Sequence, residues 1–228
     1  MSRDDAALLQ HTALFGTMAP DAVERLVRRA VRRKYRRGEV IFREDDAGDS
    51  LCVVVSGFVK VYRTSPDGDE MVLVTLGPAA VVGELPMVDG GPRSASAAAV
   101  EATTVLTVDR AALLEALRES PELVDGLLRS MGSMVRRLTD QAADLVFLDL
   151  HGRVAKLLLT LAEERGSSDS DGSALDLGMT QTDLANMVGG SRQSVNQVLR
   201  SFERLGYLEI DGRRIVIRER ELLQRRAG

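Results

Sequence analysis

The sequence predicts an α+β protein in three parts: a barrel or jelly roll of short strands, a long helix, and a helix-turn-helix followed by a β-hairpin. Glycines at roughly ten-residue intervals divide residues 31–108 into short apolar runs. Apolar residues then recur at alternating steps of four and three along residues 121–148. Finally, residues 181–217 contain two short helical patterns around a glycine turn, followed by a hairpin pattern.

The composition is that of an ordinary globular protein. The chain has 228 residues, 44% hydrophobic and 28% charged, with a net charge of −4, which suits one large or two small domains. No apolar run is long enough for a membrane span, and the N-terminus lacks signal-peptide character, so we expect a cytoplasmic protein without a membrane partner. A single cysteine and two distant histidines predict no metal, no haem and no iron–sulfur cluster. No nucleophile–base pair is present, so we expect no catalytic residue and no enzyme.

The N-terminal part is predicted to be short helices within the first 30 residues and then strands. Pro20 opens a helix, and the segment Pro66-Asp67-Gly68-Asp69 is a hairpin turn, because proline presets φ and glycine accepts a positive φ. The predicted strands are Val40–Phe42, Leu51–Val55, Phe58–Tyr62, Met71–Leu76 and Thr104–Val108.

A long helix follows. Asp109 caps a short helix over residues 111–118, and Ser120-Pro121 then begins a helix that runs to about Leu148. Its seam positions are apolar with one polar break at Gln141, and they are Leu127, Met131, Met134, Leu138, Gln141, Leu145 and Leu148. Such spacing is typical of a coiled coil and favours a homodimer. The alternative is a helix packed on its own domain.

The C-terminal part is predicted to be a winged helix-turn-helix. A helix over residues 151–164 and a flexible polar loop over 166–173 come first. Thr180 and Gln181 open a short helix over 183–187, and Ser191 caps the second helix, residues 192–205. Two strands then join at Asp211-Gly212. The alternative is a helical hairpin with no DNA role.

The second helix presents the residue types that recognise DNA. Arginine, glutamine and asparagine side chains read base edges in the major groove and contact phosphates. The alternative is a polar face that is merely solvated. The candidate DNA-binding residues are Thr180, Gln181, Ser191, Arg192, Gln193, Asn196, Gln197 and Arg200.

The chain resembles the CRP/FNR superfamily of bacterial regulators from about Leu14 to Ile217. The resemblance rests on the predicted architecture, on the stretch Phe-Leu-Asp-Leu-His-Gly-Arg at 147–153 and on Ser-Arg-Gln-Ser-Val at 191–195. It implies a β-roll, the jelly-roll cyclic-nucleotide-binding domain, over residues 1–120. A dimerisation helix over 121–148 and a winged helix-turn-helix DNA-binding domain over 149–228 would follow. The implied partners are a palindromic operator in double-stranded DNA, a second copy of the chain and RNA polymerase.

The resemblance also implies a phosphate-binding cassette. It consists of Gly83-Glu84-Leu85, seven intervening residues, and Arg93-Ser94-Ala95. By resemblance, Arg93 and Ser94 hold a cyclic phosphate and Glu84 holds the ribose hydroxyl, while Gly83 and Leu85 shape the turn. A compact anion is well served by a guanidinium, a hydroxyl and backbone N–H groups. The alternative is a surface loop with a chance ion pair.

The effector implied is a cyclic nucleotide, with cyclic AMP favoured. Leu138 and Thr139 align with two polar residues that face the adenine in the family's cyclic-AMP binders, and Leu138 lacks the hydroxyl. Cyclic GMP or a cyclic dinucleotide therefore remains an alternative effector. A further alternative is a regulator that needs no ligand and whose β-roll is structural.

Overall fold

The computed structural model describes residues 3–165, 167–169, 172–176, 181–211 and 214–228. The helices are α1 Arg3–Gln10, α2 Pro20–Arg29, α3 Leu85–Asp89, α4 Arg110–Glu119, α5 Glu122–Phe147, α6 Leu150–Arg165, α7 Gln181–Val188, α8 Arg192–Arg204 and α9 Arg220–Ala227. The strands are β1 Val31–Tyr35, β2 Val40–Phe42, β3 Ser50–Ser56, β4 Val59–Thr64, β5 Glu70–Leu76, β6 Val81–Val82, β7 Ser96–Ala99, β8 Thr103–Asp109, β9 Ser167–Asp169, β10 Gly172–Asp176, β11 Leu208–Asp211 and β12 Arg214–Ile217. The chain divides into two compact units, Met1–Arg136 and Arg137–Gly228.

Two facing antiparallel sheets form the β-roll of the first unit, as predicted. Their strand orders are β1-β8-β3-β6 and β2-β7-β4-β5. Side chains from both sheets, including Cys52, Val59 and Ala97, pack into one buried cluster. Strand β7 contributes mainly alanines, which have low strand propensity, and the hydrophobic pattern therefore did not indicate it.

A second cluster lies where the helices of this unit cover the sheet that contains β3 and β8. Phe15, Leu26, Leu113 and Leu123 are buried there. The start of α5 packs closely against the backbone at Leu14. A Cβ on Gly126 would lie only 2.2 Å from the Leu14 carbonyl oxygen. The first turns of α5 therefore belong to the core of this unit.

Further along α5, several apolar side chains are exposed. Leu127, the first position of the predicted seam, instead packs against the helical cluster. The neighbouring Leu128 is 62% exposed, and so is Val135, while Leu138 and Leu145 are 41% and 59% exposed. Val135 follows Leu128 by seven positions, and Leu145 follows Leu138 by seven, which is the heptad spacing of a self-pairing helix.

The second unit contains the predicted helix-turn-helix and wing, together with elements that the sequence did not predict. Strands β11 and β12 form the expected hairpin, but they continue through β10 to β9 in a four-stranded sheet. The prediction of a flexible loop over residues 166–173 is therefore wrong for the residues described there. The polar segment becomes a strand because Ser173 and Leu175 pair with Ile217 and Ile215 of the wing. Helix α9 was also not predicted.

Among the described residues, no helix is long and apolar enough to cross a membrane. The same residues contain no cluster of three or more potential metal ligands.

Candidate functional site

The cassette folds as a tight turn around the short helix α3. Strand β6 leads into Gly83, which has a φ of +82°, and α3 then ends at Gly90 in the left-handed conformation. The Gly90 N–H donates to the Pro86 carbonyl at 3.0 Å, and the Gly91 N–H donates to Asp89 Oδ1 at 2.8 Å. These bonds reverse the chain, so residues ten apart in sequence meet.

Arg93 is the central side chain of this turn. It is only 3% exposed, and its Nη1 donates to the Gly83 carbonyl at 2.9 Å. Nη2 donates to Ser50 Oγ at 3.2 Å, and the guanidinium carbon lies 4.2 Å from the centre of the Phe42 ring. Both hydrogen bonds end on uncharged groups, so the guanidinium is held in place without a carboxylate hydrogen-bonded to it in the described part of the chain.

The electrostatics of Arg93 favour an anionic ligand. Burial lowers the pKa of this guanidinium, while Cys52, Asp49, Asp46 and Glu84 act in the opposite direction. Its Nε is buried and has no hydrogen-bond partner among the described residues. A buried cation with an unpaired N–H is costly, and a phosphate oxygen would supply the acceptor that Nε lacks.

Position 83 has no room for a side chain. A Cβ there would lie 2.5 Å from Arg93 Nη1 and 3.2 Å from the Phe42 ring, and its positive φ already favours glycine. The backbone of Arg93 is also fixed to the neighbouring segment. Its N–H donates to the Asp46 carbonyl, and its carbonyl accepts from the Asp45 N–H, each at 2.9 Å. The cassette is therefore a fixed part of the β-roll.

The structure brings the two ends of the predicted cassette together. Glu84 immediately precedes α3 and is partly buried, as is Leu85, while Ser94 is exposed and Ala95 is buried. The sequence did not indicate that Ser50 and Phe42 contact Arg93. Both lie in predicted strands or at their ends, where the pattern indicated only core packing. Leu138 and Thr139 lie in the second unit, and their assignment to the base stays a prediction.

In the second unit, α7 and α8 pack through small and branched side chains. Ala185, Val188, Val195 and Leu199 are all buried. Gly189 has a φ of +67°, and the Gly190 N–H donates to the Ala185 carbonyl at 3.1 Å. This turn places the N-terminus of α8 directly after α7.

Ser191 caps α8 as predicted, because its Oγ accepts the Ser194 N–H at 3.1 Å. Of the polar residues on α8, Arg192, Gln193, Gln197 and Arg200 are exposed and Asn196 is partly buried. They follow the spacing of one helical face. Gln181, the first residue of α7, is partly buried, and Thr180 lies outside the described residues.

Two family models match the chain. The cyclic nucleotide-binding domain matches residues 32–120, and the Crp-like helix-turn-helix domain matches residues 152–226.

Characterised proteins match along nearly the whole length. A CRP-like cAMP-activated global transcriptional regulator of Mycobacterium tuberculosis is 36% identical over 96% of this chain and 98% of its own length. A Cyclic AMP receptor protein of Thermus thermophilus is 32% identical over 95% and 97% of the two chains. The structure of FixK2 from Bradyrhizobium japonicum superposes with a TM-score of 0.79 at 25% identity, over 87% of this chain and 98% of that one. With its β-roll, its turn around a buried arginine and its winged helix-turn-helix, the chain belongs to the CRP/FNR family of DNA-binding transcription regulators.

Proposed function

We propose that the protein is a homodimeric regulator whose sequence-specific DNA binding is controlled by a cyclic nucleotide, with cyclic AMP as the favoured effector. The observation that carries the proposal is Arg93, a buried guanidinium held by neutral groups with an unsatisfied Nε. Such a group matches the phosphate of a small anion. Two relatives that match nearly the whole chain are named for cyclic AMP.

In this proposal the cassette residues divide the ligand between them. Arg93 and Ser94 bind the cyclic phosphate, and Glu84 accepts a hydrogen bond from the ribose 2′-hydroxyl. Gly83 lets the backbone lie close to the Arg93 guanidinium, because a side chain at this position would collide with Arg93. Leu85 shapes the turn, and Ala95 completes the cassette.

The base would be contacted by Leu138 and Thr139 of α5. A leucine can pack on a base but cannot hydrogen-bond to it, so we expect modest selection between adenine and guanine. This feature keeps cyclic GMP or a cyclic dinucleotide as the second candidate effector.

A second copy of the chain would pair along α5. The exposed fractions of Leu128, Val135, Leu138 and Leu145 range from 41% to 62%, which is high for large apolar side chains, and their spacing is that of a helix pair. Pairing would place two α8 helices on one palindrome. Arg192 and Gln193 lie in the first turn of α8, where side chains meet base edges.

Ligand binding would control DNA binding by shifting an equilibrium between arrangements of the two DNA-binding units. The nucleotide can shift it only by its difference in affinity for those arrangements. RNA polymerase is the expected further partner once the protein is on DNA. We expect the nucleotide itself to remain unchanged, because the proposed site contains no catalytic group.

The proposal is tested by calorimetry with cyclic AMP, cyclic GMP and cyclic di-GMP, followed by DNA binding with and without each ligand. Random DNA selected by the protein supplies the duplex. We expect one nucleotide to bind and to change the DNA affinity. If none of the three binds, and native mass spectrometry finds no nucleotide co-purifying with the protein, the ligand-free alternative would be favoured.

A further inference from the structure

The Arg153 side chain connects the end of α5 to the helix-turn-helix. Arg153, in the first turns of α6, donates from Nη1 to the Leu148 carbonyl and from Nε to the Val188 carbonyl, each at 2.9 Å. Leu148 directly follows α5, and Val188 is the last residue of α7. The carbonyls at helix C-termini lack partners within the helix, so a guanidinium is well suited to both.

Helix α9 lies antiparallel along α6. At its start, Arg220 forms an ion pair with Glu163 near the end of α6. At its end, Arg226 lies beside Gly152 at the beginning of α6. Between them, Leu223 is completely buried. The helix is therefore docked along its length.

The contact at Gly152 is close. A Cβ there would lie 3.0 Å from the Arg226 carbonyl oxygen and 3.2 Å from Leu148 Cβ. The Gly152 N–H donates to Asp149 Oδ1 at 2.8 Å, which caps the start of α6. The segment from Leu148 to Arg153 is thus fixed by its own cap on one side and by the end of α9 on the other.

We propose that Arg153 is a positioning residue that sets the orientation of the helix-turn-helix relative to the end of α5, and that α9 braces the segment from which Arg153 reaches both carbonyls. In a dimer paired through α5, this orientation determines the distance between the two α8 helices. Arg153 and α9 therefore set which half-site spacing the protein accepts. The inference rests on the proposed homodimer.

The test measures spacing tolerance separately from base recognition. Fluorescence anisotropy compares the palindrome selected by the wild-type protein with duplexes lengthened or shortened by one base pair at the centre. We expect Arg153→Gln to lose about tenfold of the discrimination against wrong spacings, because glutamine cannot reach both carbonyls. Arg153→Lys should lose less, since one ammonium can serve one carbonyl. Arg225→Gln, at an exposed position on α9, is the matched control and should behave as wild type.

Two variants test whether the end of α9 holds the segment from Leu148 to Arg153 in place. A chain that ends at Gln224 keeps the buried Leu223 but removes the Arg226 carbonyl. Gly152→Ala keeps α9 and introduces a methyl group against that carbonyl. Both should widen the spacing tolerance. In the shortened chain, Gly152→Ala should have a smaller effect, because the new methyl group would meet Leu148 but no longer the Arg226 carbonyl.

The outcomes separate this inference from the proposed function. Preference at each base of a half-site should change little in Arg153→Gln. Thermal unfolding should stay cooperative, with its midpoint lowered by only a few degrees for the lost hydrogen bonds, which distinguishes positioning from a general loss of structure. Unaltered spacing discrimination in a folded Arg153→Gln protein would overturn the inference alone. A wild-type protein that sediments as a monomer, or that binds every spacing equally, would overturn it together with the proposed dimer.

Discussion

Replacing Arg93 should separate ligand binding from folding. In Arg93→Ala the phosphate loses its guanidinium, and a hydrogen bond to a charged group contributes about 1.5–3 kcal/mol, or about tenfold to 150-fold in affinity. The protein also loses the hydrogen bonds to the Gly83 carbonyl and Ser50 Oγ and the stacking on Phe42. Because the buried charge itself is costly, the net loss of folding stability should be about 1–3 kcal/mol.

Arg93→Lys refines this expectation. Lysine keeps the positive charge, but its single ammonium cannot occupy the places of both Nη1 and Nη2, which serve Gly83 and Ser50 separately. Affinity should therefore lie between those of the wild type and Arg93→Ala.

The assay is isothermal titration with cyclic AMP and cyclic GMP, at a temperature where thermal unfolding shows each variant to be folded. Arg37→Ala is the matched control, because Arg37 is an exposed arginine in the same unit and lies outside the cassette. It should bind as the wild type does. If folded Arg93→Ala protein binds either nucleotide as tightly as the wild type, the assignment of the cassette is refuted.

Four further outcomes are expected. Replacing both Leu138 and Leu145 with Glu should give monomers in sedimentation velocity, because like charges would face each other across the paired helices; a persistent dimer would place the interface elsewhere. In competition, the preference for cyclic AMP over cyclic GMP should stay below about a hundredfold, or about 2.7 kcal/mol, and Leu138→Ser should increase it; a larger preference in the wild type would count against the role of Leu138. Gln193→Ala should relax the preference at one base pair of each half-site by about 1–3 kcal/mol, whereas Arg200→Ala should weaken all sequences alike and reduce the salt slope by about one; equal loss at every base from Gln193→Ala would contradict this assignment. The hydrogen bond from the Gly152 N–H lowers the pKa of Asp149. The ionised carboxylate therefore stabilises the folded protein fully above the ordinary pKa of an aspartate, and this stabilisation is lost as pH falls through the lowered pKa. In urea unfolding, the stability of wild type relative to Asp149→Asn should decline over that acidic range and stay constant at neutral pH.

Elements with strong local signals were predicted well from the sequence. The cap at Asp109 is confirmed, since its Oδ1 accepts the Ala112 N–H at 2.6 Å, and Ser191 caps α8 as expected. The hairpin from β11 to β12 also follows its turn signal. In each case the residues that form the interaction are neighbours in the chain, so the pattern contains the information.

Elements that depend on distant partners were missed. Strand β10 forms because it pairs with β12, which lies about forty residues later in the chain. Helix α9 has one buried leucine among charged residues, too weak a pattern to indicate that it packs on α6. Likewise, the motif includes Gly83 and Arg93, which meet in the structure, but the other partners of Arg93 come from β2 and β3, which the motif does not include.

The anchoring of Arg93 has a thermodynamic consequence for control by a ligand. Its orientation is maintained by Gly83, Ser50 and Phe42, so the proposed phosphate site is preorganised by the protein itself. A ligand that enters a preorganised pocket loses little of its binding free energy to ordering side chains. Affinity alone does not change the population of DNA-binding arrangements, because a shift from 1:99 to 99:1 requires the ligand to bind the two states with a difference of about 5.5 kcal/mol. Because the contacts that hold Arg93 all lie within the β-roll, this residue would supply affinity in both arrangements, and switching would come from ligand contacts that differ between them.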